Sequence, residues 1–299
     1  MASIILLSPY FRTSSFWALE ENYAIISMLF SYILVNFFFF KKTYYSLLFA
    51  IFFTSICVYF DQKFIIIPLI FLFLLIYSEI HIKFKIFSIL LFFLFSTPFY
   101  YLIKIWGNIT PVGNNNVYKV GSTFYFHHIC YMANIIGFYL FPFLFLLSKK
   151  KIVELLANIY KKKINHLFIL ISIMYLIFFF FLDIKPTFSF GGGYSYKAAI
   201  FFSENIIFQK LLLSIFFIFS FLIILIFANE NIINTFFLIF YLLSSIIINP
   251  LLHEYVDPLI LLFFLTFSKT KFNFKFINIF SFFCYFLIIL VAAKIYYKF

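Results

Sequence analysis

The chain has 299 residues, 66% of them hydrophobic and only 11% charged, with a mean hydropathy of +1.11. A water-soluble domain of this size carries about 25% charged residues, so that class is excluded. The formal charge of +12 comes from 21 Lys and a single Arg; scattered between apolar runs, they read as topology signal and form no stripe for tracking nucleic-acid phosphates.

Apolar stretches long enough to cross a hydrocarbon core of roughly 30 Å recur along the chain. The expected fold class is therefore all-α: a polytopic membrane helical bundle of about ten transmembrane helices, a single integral membrane domain over residues 1–299 with irregular extracytoplasmic loops. The spans fall near 23–40, 44–60, 64–78, 86–103, 125–147, 164–182, 206–228, 232–249, 251–267 and 276–295. The third and ninth are short enough to be tilted or re-entrant. Alternate loops divide the cations thirteen against eight, and the six lysines of 149–163 dominate the richer side. That side is expected to be cytoplasmic. Seven of the ten acidic residues, both Trp and six of the seven Gly collect on the other side. Varied, polar loops on one face of a rigid scaffold are where function is usually carried.

The first outer segment holds Arg12, Trp17, Glu20 and Glu21. In a chain that otherwise uses lysine, one arginine points to a planar, bidentate guanidinium facing a phosphate or carboxylate. Trp17 with the two glutamates also fits an interfacial anchor beside a helix N-terminus, where acids are favoured in any case. Asp61-Gln62-Lys63 is a turn short enough to hold its polar groups at the membrane surface. Pro68 and Pro98, near span ends, leave backbone carbonyls that neighbours or a wet cavity must satisfy.

His127 and His128 open the fifth span about 100° apart on a helix, which makes them a poor chelating pair. Cys57, Cys130 and Cys284 lie in apolar runs without ligand spacing, so no metal or other cofactor is expected. The Gly191–Gly193 loop, flanked by aromatics, suits a flexible cover over a ligand but lacks the Lys-Ser/Thr of a phosphate-binding loop. Residues 197–210 are expected to lie as an interfacial helix. The stretch 249–258 sets His253, Glu254, Tyr255 and Asp257 between two apolar runs with a proline at each end. Ionisable groups so close to hydrocarbon are candidate functional residues, or else a polar hairpin at the surface.

No soluble-enzyme motif is present: there is no GxSxG, HExxH or GxGxxG. What remains is an outward cavity of carboxylates, one Arg, one His and aromatics. There a carboxylate would act as base on an acceptor hydroxyl while Arg12 or Lys63 holds a phosphate leaving group.

The segment from Pro9 to Asn22, the Asp61-Gln62 turn, the Phe190–Tyr196 loop and the His253–Pro258 stretch resemble polytopic glycosyltransferases of the GT-C superfamily. Within it they resemble bacterial relatives of the dolichyl-phosphoglucose-dependent α-1,2-glucosyltransferase. The resemblance implies transfer of a sugar from a polyprenyl-phosphate donor to an envelope glycan or lipid acceptor, among membrane lipids. The setting it implies is a bacterial inner membrane with periplasmic functional loops. Donor-binding candidates are Arg12, Gln62, Lys63, His253 and Tyr255; catalytic candidates are Glu20, Glu21, Asp61, Glu254 and Asp257. Asp61 stands where the family carries Arg. The family's catalytic acid sits in a first outer loop that precedes the point where this chain begins, so an N-terminally truncated or degenerate relative is expected. The competing readings are a non-catalytic membrane subunit and a lipid or solute transporter.

Overall fold

A computed structural model describes residues 20–60, 62–107, 124–184, 192–248, 251, 253, 256 and 259–297. The described residues are helical, with no strand among them. They fall into two compact units, one before residue 107 and one after residue 124.

The first unit holds α1 (Glu20–Lys41), α2 (Tyr44–Phe60), a 3-10 turn (Gln62–Ile65), α3 (Ile66–Tyr77) and α4 (Ile82–Trp106). Its core is Val35 and Phe38 of α1, Leu47, Ala50 and Ile51 of α2, Phe71 and Leu75 of α3, and Leu91 of α4. Between hydrocarbon-facing helices, packing and polar contacts do the work that water-driven burial does in soluble proteins. One such contact is the buried Ser31–Thr54 hydroxyl pair at 2.5 Å. A second repairs the break at Pro98 in α4. The Tyr59 hydroxyl, from α2, donates to the Phe95 carbonyl at 2.5 Å and accepts from the Phe99 N–H at 3.1 Å. Left unpaired, each of those backbone groups would cost about 1–3 kcal/mol, and hydrocarbon offers no water to replace the tyrosine. The expectation that a neighbour must satisfy the backbone around Pro98 is met by Tyr59.

The second unit holds α5 (His128–Leu140), continued by a 3-10 segment (Phe141–Leu146), then α6 (Lys149–Lys161), α7 (Lys163–Phe179) and α8 (Gly193–Phe202). It goes on through α9 (Ile206–Ala228), α10 (Ile232–Ser244) with its 3-10 tail (Ser245–Ile247), α11 (Leu259–Thr266) and α12 (Phe276–Tyr297). The α5 segment is 72% buried, against 11% for α4 of the other unit; α5 is the post around which this unit packs. Gly137 makes its closest pairing possible: a Cβ there would lie 2.4 Å from the Ser220 Cβ and 2.6 Å from the Ser220 Cα of α9. Small residues at such crossings let helix backbones approach in a membrane.

Among the described residues, four helices are long and apolar enough to cross a membrane: Asn22–Lys41, Ile82–Trp106, His128–Leu146 and Ile206–Ala228. A fifth results if α6 and α7, bent by 81°, count as one span. The protein is thus an all-α membrane protein. Four more expected spans appear as shorter apolar helices, Tyr44–Phe60, Ile66–Tyr77, Ile232–Ile247 and Phe276–Ile289. Among the described residues of the expected span 251–267, the α-helix runs over Leu259–Thr266, roughly 12 Å of rise and too short to cross alone.

Two further expectations change. Residues 149–163, read as a lysine-rich loop, are mostly the amphipathic helix α6. Leu155 and Ile159, four apart, face inward while most lysines face out. Residues 197–210 are not one interfacial helix but break at Ser203–Asn205. There Asn205 Oδ1 caps α9 by accepting from the N–H of Ile207 at 2.8 Å and of Phe208 at 3.3 Å.

Polar contacts sort the loops of the second unit into two ends. At one, Tyr125 N–H donates to the Ile246 carbonyl (2.8 Å), His128 Nδ1 bonds the Ile248 carbonyl (2.7 Å) and Gly192 N–H donates to the Leu251 carbonyl (3.1 Å). At the other, Asn273 N–H donates to the Leu146 carbonyl (2.7 Å). There too Lys151 lies 3.6 Å from Glu230, and Asn165 and Asn229 exchange amide bonds at 3.1 and 3.2 Å.

Candidate functional site

Gly192 and Gly193 hold φ of +83° and +78°, a left-handed conformation that costs glycine nothing and other residues much. Space makes the same demand. A Cβ on Gly193 would sit 2.8 Å from Ile135 Cγ1 and 3.1 Å from His253 Nε2. The two turns present the Tyr194 N–H to His253 Nε2 at 2.7 Å. Since Nε2 accepts, the neutral ring carries its proton on Nδ1. His253 lies outside the long apolar helices, 4% exposed, its ring 4.0 Å from that of Tyr194 and about 6 Å from those of Phe138 and Tyr139. Burial, and then the Lys197 charge, push its pKa down to about 3. His253 therefore anchors the glycine turn as a neutral ring and does not take up a proton in this arrangement.

Beside this anchor is a cavity of about 300 Å³ whose lining includes Asn134 and Phe138 of α5, Tyr194 and Ser195 of α8, His253, and Tyr285 of α12. Phe219 of α9, 64% exposed, puts one wall on the apolar outer surface. Tyr285 is fixed by donating to the Phe138 carbonyl at 3.0 Å. Asn134 Oδ1 and Ser195 Oγ are buried with no hydrogen-bond partner among the described residues. Unpaired buried groups of this kind cost about 1–3 kcal/mol each, a cost that a ligand bringing hydroxyl groups would remove. Aromatic walls with a few placed polar atoms are the usual make-up of a small-molecule site.

A second cluster lies near the start of α5. The His127 ring is 5.5 Å from Tyr131, and the Tyr131 ring 5.3 Å from Tyr196. The Asp183 carboxylate acts electrostatically on all three. Burial, with Asp183 adding to it, raises the Tyr196 phenol above its ordinary value. Among the described residues no group of three or more His, Cys, Asp or Glu is placed to hold a metal.

Of the residues singled out from sequence, the structure brings His253 and the glycine loop into direct contact. Arg12, Asp61, Glu254, Tyr255 and Asp257 lie outside the described residues, as does Gly191. Glu20 and Glu21 begin α1, and Gln62 and Lys63 form the 3-10 turn, their side chains outside what is described. Asn134, Ser195, Tyr285 and Asp183 were missed as site residues. Asp183 carried a signal, an acid directly after an apolar span; Asn134 carried another, an amide inside one.

Fold and site together define an α-helical membrane protein with an aromatic cavity clasped by a glycine turn and a buried histidine. No family model, curated protein or solved structure matches the chain.

Proposed function

We propose that the protein is a polytopic membrane glycosyltransferase, or a close relative of one, that receives a polyprenyl-phosphate-linked sugar at the lysine-poor face. The acceptor is an envelope glycan or lipid, the membrane a bacterial inner membrane, and the active loops periplasmic. The observation that carries the reading is the cavity beside His253. Its rings from Phe138, Tyr194 and Tyr285 offer stacking surface for a sugar, and Asn134 Oδ1 and Ser195 Oγ want hydroxyl partners. Its wall at Phe219 offers entry from the hydrocarbon, as a lipid-borne donor requires. Tyr194 and the glycine turn shape the pocket, and His253 holds them there. Arg12, Gln62 and Lys63 remain the donor-phosphate candidates, and Glu20, Glu21, Asp61, Glu254 and Asp257 the candidates for the base, on the resemblance alone.

The test uses membranes containing the full-length protein and polyprenyl-phosphate glucose with a labelled sugar. Label should pass into a lipid or glycan fraction, and Ser195→Phe, which fills the cavity, should abolish the passage. Inserted protein that neither binds nor turns over the donor would overturn the proposal. Binding without transfer supports the non-catalytic subunit instead.

A further inference from the structure

A different and larger cavity of the second unit, about 670 Å³, lies between α7, α9 and α10 and reaches the Lys151–Glu230 end. Three features mark it as built for an amphiphile. First, its walls are aliphatic and aromatic, and Ile171 and Leu243 leave it open to the lipid-facing surface at 52% and 60% exposure. It follows α10 from Asn231 to Leu243, roughly 18 Å at 1.5 Å per residue, which matches one leaflet of a hydrocarbon core roughly 30 Å thick.

Second, the charged and amide groups of the lining gather at one end, Lys162, Asn165, Asn229, Glu230 and Asn231, with only the hydroxyls of Ser172, Tyr175 and Thr235 elsewhere along it. Asn165 and Asn229 satisfy each other, and Glu230 is offset by Lys151 at 3.6 Å. Asn231 spends Oδ1 on the Asn234 N–H that starts α10, at 2.9 Å. Its Nδ2 is buried with no acceptor among the described residues. Third, Lys162 lines the mouth and Lys151 reaches Glu230 beside it, while the 149–163 segment they belong to carries six lysines, 149–151 and 161–163, against one acid, Glu154. A spare amide donor and a cationic rim at the head of an apolar groove complement a phosphate on a hydrocarbon chain.

We propose that this cavity holds one phospholipid with an anionic headgroup. Its phosphate lies at Lys162 and Asn231, and an acyl chain runs along α10. The site is separate from the His253 cavity and independent of the glycosyltransferase reading. It ties α6, the amphipathic lysine helix, to the leaflet on its own side.

Native mass spectrometry of the delipidated full-length protein, titrated with phosphatidylglycerol, phosphatidylcholine or inorganic phosphate, tests the proposal. Phosphatidylglycerol should bind about tenfold more tightly than phosphatidylcholine, and phosphate alone should not compete with it. Lys162→Gln, at an exposed position, should weaken phosphatidylglycerol about tenfold. Asn231→Asp keeps the helix cap but removes the donor, and should weaken it by at least as much. Ile239→Trp, which fills the groove, should remove binding. Equal binding of the two lipids, displacement by free phosphate, or unchanged affinity in Lys162→Gln would each overturn it.

Discussion

At the scale of single residues, His253 couples the site to pH. Its folded pKa near 3 lies below the roughly 6.5 of an unfolded histidine, so the unfolded chain binds a proton that the folded chain refuses. The associated stability is complete above about pH 6.5 and is lost as pH falls toward 3. Between pH 7 and pH 5 the loss is about 2 kcal/mol. Thermal unfolding in detergent should therefore show a lower midpoint at pH 5. His253→Gln, which can still accept from the Tyr194 N–H but does not titrate, should show a smaller drop. His127, lowered by burial to about 4, will keep part of the acid sensitivity in that variant. An identical drop in wild type and variant would exclude a neutral, buried His253. The sequence made His253 and the glycine loop legible because ionisable groups and triple glycines are rare in such an apolar chain. It did not show that the two are partners, since the Tyr194 N–H bond depends on how α8 meets the 251–253 segment. Nor did it single out Ser195 or Tyr285, which are ordinary residues until the fold turns them toward one cavity.

At the scale of elements, the α5–α9 crossing rests on Gly137. The clash a methyl group would make there is with the Ser220 backbone as well as its side chain, so rotating Ser220 away cannot relieve it. Gly137→Ala should force the helices apart at a cost of about 1–3 kcal/mol or more. It should be read as a lower unfolding midpoint, with Ser220→Gly giving partial recovery in the double variant. Full stability in Gly137→Ala would mean that the two helices do not meet at this point. Ala133 and Gly137, four residues apart in an apolar run, are a legible small-residue stripe. Its partner Ser220 is lost among phenylalanines. The bend between α6 and α7 was less legible still. Asn165 Nδ2 donates to the carbonyls of Asn158 at 3.3 Å and Ile159 at 3.2 Å while pairing with Asn229. One amide of α7 thus closes the end of α6 and fastens both helices to Asn229 at the end of α9. Lysine density hid the amphipathic period of α6, because the same charges that mark a cytoplasmic loop also line the wet face of an interfacial helix.

At the scale of the whole molecule, helical membrane character was readable from composition alone, because hydrocarbon leaves a chain few ways to satisfy its backbone. The number of crossings was harder to read. Hydropathy cannot separate a short buried helix such as α11 from a full span, and only the former is seen over Leu259–Thr266. Orientation rests on the lysine asymmetry, and it makes a sharp prediction. In a variant with Cys57, Cys130 and Cys284 replaced, one new cysteine is placed at Asn114 and, separately, at the exposed Lys150 of α6. A membrane-impermeant thiol reagent added to intact cells with a permeabilised outer membrane should label Asn114→Cys and spare Lys150→Cys. Disrupting the inner membrane should expose the second. The same polarity would put the Gly192–Leu251 contact, from which the His253 cavity is anchored, on the outer side and the Lys162–Asn231 head of the groove on the inner, since contacts within the second unit hold these loop segments at opposite ends. Labelling of Lys150→Cys alone in intact cells would invert the molecule. A donor delivered from outside could then no longer reach Tyr194 and His253, and the glycosyltransferase reading would lose its geometry along with the topology.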